Sequence, residues 1–236
     1  YLIPLLYFIY FKKINKKQTF SFIIIFFMIL FQGIIGWFMV KSGLSGRVDV
    51  THYSLSLHLT FAFIIFISLI WQFLKYNNQY VLENKIPYYL PNIFLFFILL
   101  QISLGALVSG LDAGKIYQSW PLMGLNYFPD DSIGINLFSL EIFDNPSILQ
   151  FIHRNLAYLI FFLFLIILLI IFKNDYLANF KKVSLLVFLS LLIQIFLGVY
   201  TILSGAQIII ASMHQIGSII LIVFSTILVF KNSTTN

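Results

Sequence analysis

The sequence predicts an all-α integral membrane protein with six complete transmembrane helices and one partial helix. Of its 236 residues, 61% are hydrophobic and only 9% are charged, whereas charged residues make up about 25% of an ordinary soluble domain. The apolar residues form long runs, and about 20 such residues cross the hydrocarbon core of a bilayer as a helix. Basic residues cluster between the runs, so the net charge of +6 indicates membrane topology and not nucleic-acid binding.

The apolar runs define the helices in chain order. The first run, 1–11, has about half the length needed for a crossing. Because it starts at Tyr1 with no charged segment before it, we predict the end of a helix that begins upstream and not a signal peptide. Six complete spans follow, with predicted ranges 19–40, 52–74, 87–110, 147–172, 183–203 and 208–230.

The basic residues orient these helices. Of the 14 lysines and arginines, ten lie on one side of the membrane by the predicted topology. Four lie on the other side: Lys41, Arg47, Lys115 and Arg154. The side with fewer basic residues is predicted to be external. The connection 111–146 is external on this assignment and carries the acidic residues Asp112, Asp130, Asp131, Glu141 and Asp144. A long connection between short ones is usually functional, and its aromatic residues and prolines predict a packed cap.

A unit of two helices occurs three times. The first helix of each unit carries a glutamine four residues before a glycine, in the segments FQGIIGW, QISLGAL and QIFLGVY; the glutamines are Gln32, Gln101 and Gln194. The second helix returns inward and carries a histidine six residues after its predicted start; these are His58, His153 and His214. At 1.5 Å per residue, each histidine lies about 9 Å below the outer helix end. The three histidines are therefore predicted to share one depth.

Imidazoles at one depth on different helices of a bundle can ligate a haem iron from both faces. We predict this role for the three histidines, and we expect Arg154, beside His153, to meet a haem propionate. Other roles stay open for single residues. A membrane histidine can serve as a proton relay or hydrogen-bonding group, and Arg154 can instead extend to the interface.

Two further sets of polar residues have simpler interpretations. His52 lies at a helix start, where a solvated interfacial position is expected. For the three glutamines we favour interhelical hydrogen bonds worth about 1 kcal/mol each.

The motifs together resemble the haem A synthase family. They are QGIIGWFMVKSGL (32–44), YSLSLHL (53–59), GALVSGLDAGKIYQSWPLMG (105–124), LQFIHRNLAYL (149–159), QIFLGVYTIL (194–203) and ASMHQIGS (211–218). They follow the family's order and cover nearly the whole chain, and the GLDAG…Y…WP…M run is the most specific. The chain has no cysteine, which resembles the branch found in mitochondria and related bacteria and excludes disulfides and thiolate metal sites.

The resemblance implies two pseudo-symmetric four-helix halves, each holding one haem. The C-terminal half, 84–236, would hold a haem b cofactor between His153 and His214, with Arg154 beside it. The N-terminal half, 1–83, would bind the substrate haem O with His58 as one iron ligand. The other ligand of that site, and a glutamate before it, belong to the helix of which 1–11 is the end. The resemblance thus implies an incomplete substrate site and an inactive fragment.

The activity that the resemblance implies is oxidation of a ring methyl of haem O to a formyl group, by successive hydroxylations, which makes haem A for cytochrome oxidase. Electrons would come from an unidentified donor, because no dinucleotide-binding motif is present. Expected partners are membrane lipid, haem O synthase and cytochrome oxidase assembly factors. The membrane would be a bacterial plasma membrane or a mitochondrial inner membrane, with the haem sites toward its outer side.

Two other classes of membrane protein fit part of the pattern. A non-enzymatic b-type cytochrome that carries electrons across the bilayer predicts histidine pairs at two depths, whereas the sequence places histidines at the outer depth alone. A transporter with a midplane site predicts spans broken at their centres by glycine or proline. Pro4, Pro87 and Pro91 instead lie near the ends of apolar runs, so both alternatives are disfavoured.

Overall fold

The regular structure is helical throughout the described part of the chain, which comprises residues 1–43, 50–77, 85–136 and 138–233 of a computed structural model. Short 3-10 turns occur only in the connections. The helices are α1 (Leu2–Tyr10), α2 (Lys16–Gly43), α3 (His52–Asn77), α4 (Leu90–Gly110), α5 (Pro146–Lys173), α6 (Ala178–Leu203) and α7 (Ile208–Ser233).

Six of these helices, α2 to α7, are long and apolar enough to cross a membrane. The predicted all-α integral membrane protein with six complete spans is therefore confirmed, and α1, with nine residues, is too short to cross a membrane. The predicted ranges differ from the observed ones mainly at the lysine-rich ends, because helices continue into polar sequence that hydropathy does not mark. Arg47 and the predicted boundary between the halves at 83–84 lie outside the described residues.

The start of α5 is fixed by a local cap. The side chain of Asn145 accepts a hydrogen bond from the backbone N–H of Ile148, and Pro146 takes the first helical position, where its fixed φ suits a helix and no N–H is needed. His153 therefore lies two turns inside α5. His58 and His214 lie at a matching distance from the starts of α3 and α7, as the predicted common depth requires.

The last four helices form a bundle. α5 contacts α4 and α6, and α7 also contacts α4 and α6, so α5 and α7 occupy opposite corners. α3 packs against α4 and α7 on one side of the bundle, and α2 packs against α3. The division of the chain into two four-helix halves stays a prediction.

The larger hydrophobic cluster extends to the lysine-rich end of the bundle, which is predicted to be the inner end. Its fully buried side chains come from the first halves of α4 and α6, the second halves of α5 and α7 and the turn before α6, and they include Phe94, Phe164, Leu177, Ile222 and Leu228. The rings of Phe94 and Phe164 lie 4.6 Å apart. A smaller cluster of Leu104, Leu107 and Leu149 fills the other end, where the three histidines are partly buried.

Polar contacts fix the neighbouring elements to one another. At the inner end, the Asn232 side chain accepts a hydrogen bond from the backbone N–H of Ile86 at 2.7 Å and donates to the Ile86 carbonyl at 3.3 Å. Further out, the Ser56 hydroxyl of α3 donates to the Ser103 carbonyl of α4 at 2.8 Å. Such bonds hold helices together in hydrocarbon, where unpaired polar groups are costly.

The close approach of α3 to α4 gives a test of this packing. A Cβ added at Gly110 would lie 2.8 Å from the Cα of His52, and backbone cannot move aside cheaply. We expect Gly110→Ala to destabilise the protein by about 1–3 kcal/mol, measured as a lower unfolding temperature in detergent. Gly33→Ala is the matched control, because no described heavy atom lies within 4 Å of its Cβ position. Equal unfolding temperatures for Gly110→Ala and the wild type would contradict the α3–α4 contact.

Candidate functional site

The three predicted helix pairs bring a glutamine against a histidine in the same way. The Gln32 amide nitrogen donates to the His58 carbonyl oxygen at 2.9 Å and lies 3.3 Å from the ring Nε2 of His58. Gln101 repeats this arrangement on His153, at 2.9 Å from the carbonyl oxygen and 3.2 Å from Nε2. In the amide orientation that satisfies its neighbours, Gln194 donates to the His214 carbonyl oxygen at 2.9 Å.

The glycine of each helix pair lies against the same edge of the histidine ring. A Cβ added at Gly36 would lie 3.0 Å from Cε1 of His58, and one added at Gly105 or Gly198 would lie 3.1 Å from Cε1 of His153 or His214. Residues i and i+4 share one face of a helix, which explains why the glutamine and the glycine meet one histidine together. The sequence repeat is thus a repeat of contacts.

The structure places His153 and His214 in one bundle and His58 outside it. His153 is on α5 and His214 on α7, at opposite corners of the bundle. His58 is on α3, which packs between α2 and the bundle. His52 lies at the outer start of α3, with Nε2 3.1 Å from an Asp144 carboxylate oxygen, which fits the interfacial position expected for it.

The histidine rings are suited to binding a metal. Nδ1 of His58, His153 and His214 is buried and has no hydrogen-bond partner among the described residues. Neutral imidazole is a common axial ligand of iron in haem proteins. His153 and His214, on opposite corners of the bundle, would hold a haem between them. Their buried Nδ1 atoms, unpartnered in the described part of the chain, fit that role.

Arg154 contacts the outer loop. Its guanidinium donates to the backbone carbonyls of Tyr117 at 2.9 Å, Ser119 at 2.9 Å and Leu122 at 3.3 Å. Gln150, one turn earlier on α5, donates to the Tyr117 carbonyl at 3.0 Å. The predicted contact of Arg154 with a haem propionate stays a prediction, and the structure adds this unforeseen role of holding the loop.

Comparisons with known proteins identify the family. The sequence profile described as cytochrome oxidase assembly protein matches residues 1–226. A haem A synthase of Pelagibacter ubique (strain HTCC1062) is 45% identical over 98% of this chain and 68% of its own length. The chain belongs to the haem A synthase family. The haem A synthases of Rickettsia felis and Rickettsia akari are 37% and 38% identical, each over 94% of this chain and 67% of its own length.

In this member of the family the outer loop packs on α5, as the predicted cap requires. Trp120 donates through Nε1 to the Tyr158 hydroxyl at 3.0 Å, and the Tyr127 hydroxyl donates to the Asn155 side chain. These partners were not predicted, because they lie outside any periodic pattern. Gly217 was also missed; it leaves room for the Gln194 amide, and its position three residues after His214 was the available signal.

A carboxylate anchors the same loop to the start of α5. The Ser147 hydroxyl donates to Asp131 Oδ2 at 2.7 Å. Burial raises the pKa of the Asp131 carboxyl, but hydrogen bonds from Ser147, Ser132 and Tyr117 outweigh it and hold this pKa below its ordinary value of 3.8. Asp131 is therefore ionised at neutral pH and accepts these bonds as a carboxylate.

The three carbonyl contacts of Arg154 make its loop role testable. Arg154→Met keeps the length of the stem but removes the donors, so the loop should open more often. We expect hydrogen exchange of the Met123 and Gly124 amides, both bonded within the loop, to be at least about tenfold faster, since each lost bond costs about 1 kcal/mol.

Lys115→Met serves as the control for this measurement. Lys115 pairs with Asp112 at the exposed surface, and such a pair contributes about 0–1 kcal/mol. The exchange of both amides should stay unchanged in this variant. Equal exchange in Arg154→Met and the wild type would show that Arg154 does not hold the loop.

Proposed function

We propose that this chain belongs to a haem-dependent enzyme of haem A formation, which oxidises a ring methyl of haem O to a formyl group, and that a haem b binds between His153 and His214 of this chain. One observation carries the proposal. In a member of the haem A synthase family, two histidines at one depth lie on opposite corners of a four-helix bundle. That is the placement from which two imidazoles reach one iron.

The residues around His153 and His214 hold the two rings in place. Gly105 and Gly198 let the helices approach closely enough that the His153 and His214 rings are held at their edges. The larger hydrophobic cluster fills the bundle toward its lysine-rich end. When bound, haem b supplies the redox chemistry, and the protein supplies orientation and exclusion of water.

His58 is proposed as an iron ligand of the substrate haem O. It carries the same contacts to Gln32 and Gly36 as the bundle histidines carry to their partners. Because α3 packs on α4 and α7, this histidine lies beside the haem b bundle. Because the surroundings of His58 match those of His153 and His214, we propose that His58 is also an iron ligand. Because it lies on a separate helix pair, we propose that it binds a separate haem.

The proposed location of both sites is the outer side of a bacterial plasma membrane or mitochondrial inner membrane. The support is the distribution of basic residues, most of which lie at the helix ends opposite the histidines. Electrons are proposed to come from a separate donor.

The ligand assignment can be tested by haem content. We expect purified His153→Ala and His214→Ala proteins to lose the low-spin b-type absorbance, because a single axial imidazole does not give a low-spin bis-histidine iron. His52→Ala, which changes an interfacial histidine bonded to Asp144, should keep the wild-type spectrum. Unchanged haem b in both bundle variants would overturn the assignment.

The substrate assignment uses the same preparation. In a host that makes haem O, chromatography of the extracted haems should show that His58→Ala loses bound haem O or haem A and keeps haem b. Loss of haem b in this variant, with haem O retained, would show that the two sites are interchanged.

A further inference from the structure

A groove between α1 and α2 has no role in the function proposed above. It lies at the lysine-rich end of α2, in the opposite half of that helix from Gln32 and Gly36. We propose that this groove binds one anionic phospholipid, whose phosphate contacts Lys12 and Lys16 and whose acyl chain lies along the apolar side chains beside them. The inference goes beyond haem binding and does not depend on it.

The groove combines two cations with an apolar wall. Its lining includes Lys12 and Lys16 together with Ile9, Phe20 and Ile23, and its volume is about 420 Å³. Binding sites for small molecules have volumes of about 300–1,000 Å³. Phe20 is 67% exposed and Ile23 is 36% exposed, so the apolar wall is open toward the space that lipid occupies in a membrane. A lipid can therefore enter the groove from the side.

The depth of the groove in a bilayer matches the order of groups in a phospholipid. α2 has 28 residues and is therefore about 42 Å long, whereas the hydrocarbon core is about 30 Å thick. Lys16, the first residue of α2, is expected in the headgroup layer, and Ile23 lies about 10 Å deeper. The groove is thus cationic where phosphates lie and apolar where acyl chains begin. Basic pockets between membrane helices bind anionic lipid headgroups at this depth.

The lysines of the groove have no acidic residue near them in the sequence. The first acidic residue of the chain is Asp49, after the end of α2. The ion pairs of the described residues involve His52, Lys115 and Lys181 as the cations, and neither groove lysine is among them. Within the described structure, both ammonium groups therefore lack an anionic partner, which a lipid phosphate would supply.

The backbone holds both lysines at the groove. Lys12 ends α1 in the left-handed region, at φ 51°, and its N–H donates to the Ile9 carbonyl at 3.1 Å. Glycine is the usual residue at such a position, so the turn does not explain the choice of a lysine. At the start of α2, the Asn15 and Gln18 side chains each accept a hydrogen bond from the other's backbone N–H at 2.9 Å. This reciprocal cap fixes the turn that carries Lys16.

Two further lysines in the same connection give a direct comparison, because lysines at helix ends also arise from membrane topology alone. Lys13 and Lys17 each follow a groove lysine by one residue but do not line the groove. If only net positive charge mattered, the two pairs of lysines would be equivalent. The proposal instead predicts that Lys12 and Lys16 alone give the chain a preference for an anionic lipid.

Native mass spectrometry of the purified chain in detergent tests this difference. We expect the wild type to bind one phosphatidylglycerol at least about tenfold more tightly than phosphatidylcholine, because two lysines attract the anionic headgroup. The double variant Lys12→Gln, Lys16→Gln should lose this preference. The double variant Lys13→Gln, Lys17→Gln is the matched control, since it removes the same charge from the same connection, and it should keep the wild-type preference.

Two further measurements locate the lipid and identify the part of it that is recognised. Phosphatidylglycerol with a photoreactive acyl chain should label the segment 9–23 in the wild type, and labelling should be about tenfold weaker in the double variant at Lys12 and Lys16. Inorganic phosphate has the anionic group without an acyl chain. An equal concentration of it should therefore displace none of the bound lipid.

Four results would overturn the lipid site. They are equal loss of the preference in the two double variants, no preference in the wild type, labelling confined to other segments, and displacement of the lipid by inorganic phosphate. All four lysines are exposed, so both double variants should unfold at the wild-type temperature, and loss of lipid binding then reports the groove and not the fold. None of these results bears on the haem assignments, which are tested by the histidine variants.

Discussion

The contact between a histidine ring and a glycine on the facing helix is the constraint on which the rest of the structure depends. At about 3 Å from the Cβ position to Cε1, no larger residue can replace the glycine without moving the ring. The glutamine one turn earlier is then brought to the histidine backbone, whose carbonyl accepts a hydrogen bond from an amide that hydrocarbon would leave unpaired. One spacing in the sequence therefore determines both how close two helices come and which polar groups meet.

The same helix pair serves in two settings. α4 with α5 and α6 with α7 join into a closed bundle, so that their histidines lie on helices at opposite corners. α2 with α3 packs alongside, through α3. The same contact between a glutamine, a glycine and a histidine thus occurs at the two histidines of the bundle and at His58. The three helix pairs differ in how they pack against one another and not in this contact.

Much of this was predictable, because hydropathy and spacing are local properties of the sequence. The number of spans, the matched depth of the histidines and the glutamine–glycine–histidine repeat follow from counting residues along apolar runs. The glutamines were nevertheless expected only to join helices, since spacing does not show that an amide nitrogen also faces Nε2. The loop contacts of Arg154 and the bond between Ile86 and Asn232, 146 residues apart, depend on tertiary packing that no periodicity encodes.

The two hydrophobic clusters give the two ends of the bundle unequal shares of packing. Phenylalanine and aliphatic side chains fill the lysine-rich end, whereas a smaller cluster of Leu104, Leu107 and Leu149 fills the end near the histidines. A ligand that binds only the folded form stabilises it in proportion to the logarithm of the ligand concentration. If the proposed haem binds there, its supply would act as a thermodynamic control on the end with the smaller cluster.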